Sequence, residues 1–150
     1  MIDHAGVERL NRVVKKMDRP DEVRTFEKGK FEVFHVGEMT IGRATYEPGW
    51  KWSEHVGPSL GKTTCDVSHV AMVVTGRLHV VMDSGEQFEL EPGDLFYVGP
   101  GHDSWVVGDS SFVSLHFTNA GDYARRDGSD APQEDASDRG STPADDGDAS

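Results

Sequence analysis

The sequence predicts an all-β domain, a barrel or a sandwich of short strands. From residue 30 to residue 118 the chain is a series of runs, five to nine residues long, that are rich in β-branched and aromatic side chains. Glycine-containing turns separate several of these runs, as in VTGR (74–77) and DSGE (83–86), and such turns are typical of hairpins. Many short strands at this spacing indicate two packed sheets or a closed barrel.

An amphipathic helix is predicted before the first strand. Val7, Leu10, Val14 and Met17 follow one another at spacings of 3, 4 and 3 residues, with charged side chains elsewhere around the turn. The helix is expected to stop before Pro20, because the residue preceding a proline disfavours helical geometry. Residues 1–20 are therefore predicted to form a short N-terminal helix that packs on the barrel.

Eight strands are predicted after this helix, within a domain that spans residues 21–120. They cover residues 30–36, 39–47, 69–74, 77–83, 86–91, 94–99, 104–108 and 111–118. The segment EPGDLF (91–96) combines proline, glycine and aspartate, and it is predicted to be a turn that opens a new strand.

The C-terminal residues 121–150 are predicted to be a disordered acidic tail. After Phe117 the chain has no Val, Ile, Leu, Met, Phe or Trp, and residues 122–150 hold nine acidic residues against three arginines. A segment that buries little apolar surface cannot offset the entropy lost on ordering. The folded domain is therefore expected to end near Ala120.

Composition excludes some partners and indicates a compartment. The formal net charge of -12 argues against nucleic acid, which requires a concentrated basic surface. The chain has no apolar run of the eighteen residues that a membrane span needs, and its start lacks the apolar stretch of a secretory signal. The single cysteine, Cys65, rules out an internal disulfide. We therefore expect a cytoplasmic protein without membrane or nucleic-acid partners.

Two glycine-anchored patterns stand in the β region. In the first, five residues separate Gly49 from His55 and six separate His69 from Gly76. The second lies in PGDLFYVGPGHDSW (92–105), where a glycine is followed after five residues by Gly-Pro-Gly.

These patterns resemble the two motifs of the cupin superfamily. The first cupin motif runs Gly, five residues, His-x-His, a short gap, Glu, six residues, Gly, and the second runs Gly, five residues, Pro-x-Gly, two residues, His. The resemblance covers about residues 47–117, roughly half of the chain. It implies a double-stranded β-helix, or jelly-roll, barrel.

The chain departs from the cupin pattern at the positions that bind metal. In metal-binding cupins the histidines and the glutamate of the first motif form the site with the histidine of the second. Here only His55 is kept in place, with Gly57 at the second histidine position and His69 at the glutamate position. Ser104 takes the last histidine position, and His102 lies two residues earlier. The resemblance therefore implies a site that is remodelled or lost.

Four residues are candidate metal ligands: His55, His69, His102 and Cys65. Imidazole nitrogen and thiolate sulfur suit zinc or iron, and three protein ligands with one open position define a catalytic type of site. The family positions of His55 and His69 imply that they lie close together at the barrel mouth. Cys65 or His102 could supply a third ligand. The alternatives are hydrogen-bonding histidines in a metal-free pocket and an inert or reactive thiol at Cys65.

A small-molecule pocket is predicted beside these candidates. His116 alternates with Phe112 and Ser114 along one face of a strand and could point into the barrel. Trp105 could form a wall of the pocket, and Ser104 stands at a family ligand position.

Two functions from different classes follow. The first is a metal-dependent cupin enzyme, similar to dioxygenases or isomerases of the superfamily, with zinc, iron, manganese or nickel bound. The second is a metal-free cupin that binds or senses a small ligand without catalysis. The resemblance also implies a homodimer, because cupins commonly pair through edge strands.

Overall fold

The computed structural model describes residues 11–124, and this part of the chain holds nine strands and two one-turn helices. The strands are β1 (Glu22–Phe26), β2 (Gly29–Val36), β3 (Met39–Tyr46), β4 (His69–Thr75), β5 (Arg77–Met82), β6 (Gln87–Leu90), β7 (Leu95–Val98), β8 (His102–Val107) and β9 (Phe112–His116). The helical turns α1 (Trp52–His55) and α2 (Gly57–Leu60) lie between β3 and β4. None of the helices in the described range is long and apolar enough to cross a membrane.

The strands pair antiparallel in two sheets. The larger sheet has six strands in the order β1-β2-β3-β9-β4-β7, and the smaller has three in the order β6-β5-β8. Two isolated bridges, Lys51 with Trp105 and Cys65 with His102, link the segment between β3 and β4 to strand β8. The predicted all-β fold is confirmed, with the ladders of the described chain forming two sheets rather than one closed cylinder.

The core lies between the sheets, and it includes polar residues. Strands β8 and β9 alternate between buried and half-buried residues along their whole length. Because successive side chains of a strand point to opposite faces, the inward positions of these strands all enter the core. Four of the inward residues are polar: His102, Ser104, Ser114 and His116.

The eight predicted strands are present, with ends shifted by up to a few residues. Strand β1 was not predicted. Its sequence EVRTF carries Glu22 and Arg24 among its five residues and has no apolar alternation. The strand pairs only with β2 at the edge of the larger sheet, where charged side chains are common because they discourage association of edges.

The predicted N-terminal helix differs from the structure where it can be compared. Residues 1–10 lie outside the described residues, and residues 11–20 form no helix. Val14 is 71% exposed and Met17 41% exposed, so the predicted apolar stripe is not buried here. A short helix whose apolar face is not packed is marginal in water, which is consistent with the absence of helix in residues 11–20.

The folded chain continues past residue 120. Ala120 and Tyr123 are both buried. The guanidinium of Arg24 donates hydrogen bonds to the carbonyls of Ala120, Gly121 and Tyr123 at 3.3, 3.0 and 2.6 Å. The described structure therefore extends four residues beyond the predicted boundary, to residue 124, and the remainder of the predicted tail, 125–150, lies outside the described residues.

Candidate metal centre

Cys65, His69 and His102 meet inside the fold. The backbone N–H of Cys65 donates to the His102 carbonyl at 2.8 Å across the isolated bridge. His69 is the first residue of β4 and His102 the first of β8. All three side chains are buried, and their ligand atoms lie within 4.8 Å of one another. Among residues 11–124 this triad is the one group of three such side chains close enough to share a metal ion.

The spacing inside the triad suits a transition metal. The Sγ atom of Cys65 lies 3.6 Å from Nε2 of His69. A sulfur about 2.3 Å and a nitrogen about 2.0 Å from a tetrahedral zinc ion lie about 3.5 Å apart. One thiol and two imidazoles also form a donor set that zinc and iron accept. The residues therefore fit an ion with three protein ligands and one open position.

Burial keeps the triad uncharged in the absence of metal. It lowers the pKa of His69 to about 2, with smaller effects from His116 and His102. It also lowers the pKa of His102 and raises that of the Cys65 thiol to about 12. Neutral imidazoles have a free lone pair for a metal, whereas the thiol must release its proton when it binds.

One ligand of the triad is oriented by the backbone. Nδ1 of His102 lies 2.7 Å from the carbonyl oxygen of Gly99, an acceptor that requires a proton on Nδ1. The lone pair of the neutral ring is therefore on Nε2. Metal-binding histidines are commonly held by such a bond from their other nitrogen.

Two residues of the triad, His69 and His102, line a small and mainly apolar cavity of about 30 Å³. None of the described residues that line it is aspartate, glutamate, lysine or arginine. Its polar side chains form two hydrogen-bonded pairs besides the triad. Ser114 Oγ lies 2.9 Å from Nε2 of His116, and the hydroxyls of Tyr46 and Tyr123 are 2.6 Å apart.

A further polar feature lies at the same cavity. The Nδ1 atoms of His69 and His116 are buried and have no hydrogen-bond partner within the described chain. Burial lowers the pKa of His116 to about 4, so its ring is also neutral near pH 7. A buried polar atom without a partner costs about 1–3 kcal/mol. The cavity therefore has hydrogen-bonding capacity that the protein itself does not use.

Of the four predicted ligands, the structure brings three together and leaves His55 apart. His55 ends α1, where its Nδ1 accepts a hydrogen bond from the backbone N–H of Lys51 at 2.9 Å. Its Nε2 lies 3.9 Å from a carboxylate oxygen of Glu27. His55, in this helical turn, is not part of the group of three donors that lie within 4.8 Å of one another.

Of the predicted pocket residues, Ser104 and His116 line the triad cavity, but Trp105 does not. Trp105 faces the opposite side of β8, because adjacent strand residues point in opposite directions. There its ring stacks on His79 at 4.8 Å and Lys51 lies over it at 5.0 Å. Tyr46 and Tyr123 line the triad cavity and were missed. Tyr123 is the only aromatic residue after Phe117, and this isolated position in a polar segment could have indicated that it is buried.

The part of the chain that holds the triad is similar to a known protein family. A family model described as the EutQ-like cupin domain matches residues 51–113, which include the whole triad. This match supports the assignment of the chain to the cupin superfamily. No curated protein matches the chain in a sequence comparison.

Solved structures give related matches. A protein of unknown function from Rhizobium leguminosarum bv. viciae is 25% identical, with 59% of this chain and 78% of that chain covered and a TM-score of 0.45. A sugar phosphate isomerase of the cupin superfamily from Silicibacter pomeroyi is 19% identical, with 67% and 71% covered and a TM-score of 0.49. An oxalate decarboxylase from Lactobacillus farciminis is 21% identical, with 66% and 31% covered and a TM-score of 0.47. These structural similarities do not indicate what this protein binds or does.

Proposed function

We propose that this cupin is a metal-dependent protein that binds one zinc or iron-type ion through Cys65, His69 and His102. The observation that supports the proposal is the triad itself, with three buried donors of suitable chemistry inside 4.8 Å. Three protein ligands leave one position open, and two of them, His69 and His102, line the small cavity. The ion would act as a Lewis acid on a small ligand held at that position.

The protein residues have distinct tasks in this proposal. Cys65 supplies the anionic ligand after its proton leaves, and the two histidines supply neutral ligands. The Gly99 carbonyl fixes the ring of His102. Apolar side chains around the cavity exclude bulk water, which strengthens electrostatic interactions at the open position.

The metal-free alternative is a cupin that binds a small organic molecule in the same cavity. Its support is the contact between Cys65 and His69, which can be a thiol to imidazole hydrogen bond at 3.6 Å without any metal. The cavity volume of about 30 Å³ speaks against it. Pockets for organic ligands are typically of roughly 300 Å³ or more.

Metal analysis tests the proposal. The full chain, freed of metal by a chelator and dialysed, is titrated with zinc and with anaerobic ferrous iron, and bound metal is measured by elemental analysis. We expect about one ion per chain, lost in Cys65→Ser and in His102→Ala. His79→Ala, which changes an outward-facing histidine, is the matched control and should bind like the unaltered chain.

A clear result contradicts the proposal. If neither metal binds the unaltered chain, or if both triad variants bind as tightly as the control, the triad is not a metal site. The cluster is then a hydrogen-bonded part of the core, and the metal-free alternative is favoured.

A further inference from the structure

A residue from the end of the described chain lines the cavity beside the triad. Tyr123 is buried, and its ring centroid lies 5.2 Å from that of His69 at an interplanar angle of 75°. The same ring packs 4.7 Å from the ring of Phe31. Tyr123 thus stands as a wall of the cavity, next to one of the proposed ligands.

Four hydrogen bonds hold Tyr123 and the segment around it in place. The Tyr123 hydroxyl is hydrogen-bonded to that of Tyr46 at 2.6 Å, inside the core. Its backbone carbonyl accepts a hydrogen bond from Arg24 at 2.6 Å, and Arg24 also binds the carbonyls of Ala120 and Gly121. The ring is therefore fixed at both ends, so the volume that it leaves open is well defined.

The remaining space is very small. A cavity of about 30 Å³ has room for one or two water-sized groups. It also lacks a charged side chain, among the described residues, that could pair with a charged organic group. An uncharged ligand of one or two non-hydrogen atoms is what such a space accepts.

Resting on the proposed metal site, we propose that the open position admits only ligands of one or two non-hydrogen atoms, and that Tyr123 sets this limit. The substrate class is then a small molecule such as water or a diatomic molecule, rather than a sugar or an aromatic compound. Tyr123 acts as a specificity-determining residue through the volume of its ring. Its hydroxyl serves to hold the ring through Tyr46.

Cobalt-loaded protein provides the test, because the visible absorption of cobalt(II) changes when a new ligand binds. Cyanide, which near pH 7 is mainly the neutral acid HCN with two non-hydrogen atoms and loses its proton on binding a metal, and imidazole, with five, are titrated separately near that pH. Retained cobalt is measured after gel filtration. The unaltered chain should respond to cyanide. It should bind imidazole about 10- to 100-fold more weakly than Tyr123→Ala does, because extra atoms are costly to force into a packed interior.

Two variants separate ring volume from other effects. Tyr123→Phe keeps the ring and removes the hydroxyl, so it should still exclude imidazole. Tyr97→Ala removes a tyrosine that is 67% exposed and away from the cavity, and it should behave like the unaltered chain.

The outcomes distinguish the two proposals. If the unaltered chain binds no cobalt, the proposed function fails and this inference fails with it. If cobalt binds and imidazole binds the unaltered chain as tightly as it binds Tyr123→Ala, only the size limit is overturned. A cobalt-loaded chain that does not respond to cyanide also overturns the inference. If Tyr123→Ala does not fold, the unaltered chain still tests the proposal. Binding of imidazole as tightly as cyanide would contradict the proposed size limit.

Discussion

Two groups of polar residues contain histidine, one inside the fold and one on its surface, and their surroundings differ. The interior group is the triad of Cys65, His69 and His102, where burial keeps the donors neutral and Nδ1 of His69 has no partner in the described chain. The exterior group surrounds His79 on β5.

The exterior group is already satisfied by its neighbours. One nitrogen of His79 lies 2.8 Å from Gln87 Oε1 and the other 3.4 Å from Glu89 Oε2, while Arg77 also binds Glu89. Its ring stacks on Trp105. The comparison shows that residue type does not define a site. The interior histidines are distinguished by burial, a shared small cavity and unused hydrogen-bonding capacity.

Metal binding should give the largest difference between the two groups. With free zinc at about 1,000 times the dissociation constant, binding to the native state alone adds about 4 kcal/mol to the free energy of unfolding. We expect this gain in the unaltered chain and in His79→Ala, and none in His69→Ala. Urea denaturation with and without zinc measures it. Equal stabilisation of His69→Ala would place the bound zinc elsewhere.

The next largest effect is expected for the partly buried Arg24. Arg24 donates to three backbone carbonyls of the C-terminal segment, so Arg24→Ala leaves those acceptors without this partner. We expect a loss of about 2–3 kcal/mol in the free energy of unfolding. Arg24→Lys keeps the charge but not the planar fork, and should recover only part of the loss. A loss below about 0.5 kcal/mol in Arg24→Ala would show that the segment is held by its side chains alone.

The interior should also make the metal-free protein sensitive to acid. Burial holds the pKa of His116 at about 4 in the folded chain, against about 6.5 when unfolded. The unfolded state therefore binds the extra proton first, and stability falls as the pH drops from about 6.5 to about 4.

Between pH 7 and pH 5 this histidine alone should remove about 2 kcal/mol from the free energy of unfolding. Urea denaturation in chelator-containing buffers across this range measures the loss. His116→Gln, which does not titrate, should reduce the slope and leave the part that comes from His69, whose pKa is also lowered by burial. Ser114→Ala, which keeps the imidazole, should retain the full slope. The same slope in His116→Gln and the unaltered chain would contradict this explanation.

The smallest effect is expected on the exterior. The ion pair of Arg77 and Glu89 has an N···O distance of 2.8 Å, but the Arg77 side chain is 53% exposed. Exposed pairs contribute little, so Arg77→Ala should change the free energy of unfolding by less than about 0.5 kcal/mol. If Arg77→Ala lowered the free energy of unfolding as much as Arg24→Ala does, the distinction between interior and exterior groups would be contradicted.

The strands could be predicted from the sequence because the pattern that defines them is local. Alternation and glycine turns predicted every strand from β2 to β9. Strand β1 and the C-terminal segment could not be found in this way, because each depends on a contact across the chain. Arg24 reads as a surface charge, and Tyr123 stands alone in a polar run, until the fold places one against the other.

The site was partly predictable for a related reason. His55 was included because five residues separate it from Gly49, yet the chain makes a helical turn there. Cys65 precedes His69 with three residues between them, a short gap of the kind that the first cupin motif has before its glutamate position. If the motif spacing had been counted back from Gly76 instead of forward from Gly49, Cys65 would have been preferred over His55 as a predicted ligand.

The hydrogen bonds of Arg24 to the C-terminal segment also affect the order in which the protein can be assembled. They join residues 96, 97 and 99 positions apart in the chain. Contacts of such separation form late, since a long loop must be closed first. A nascent chain can pair β1 with β2 while Tyr123 is not yet synthesised. The ligands of the triad are thus all made before the wall that encloses them, which leaves an interval in which a metal ion can enter from solvent.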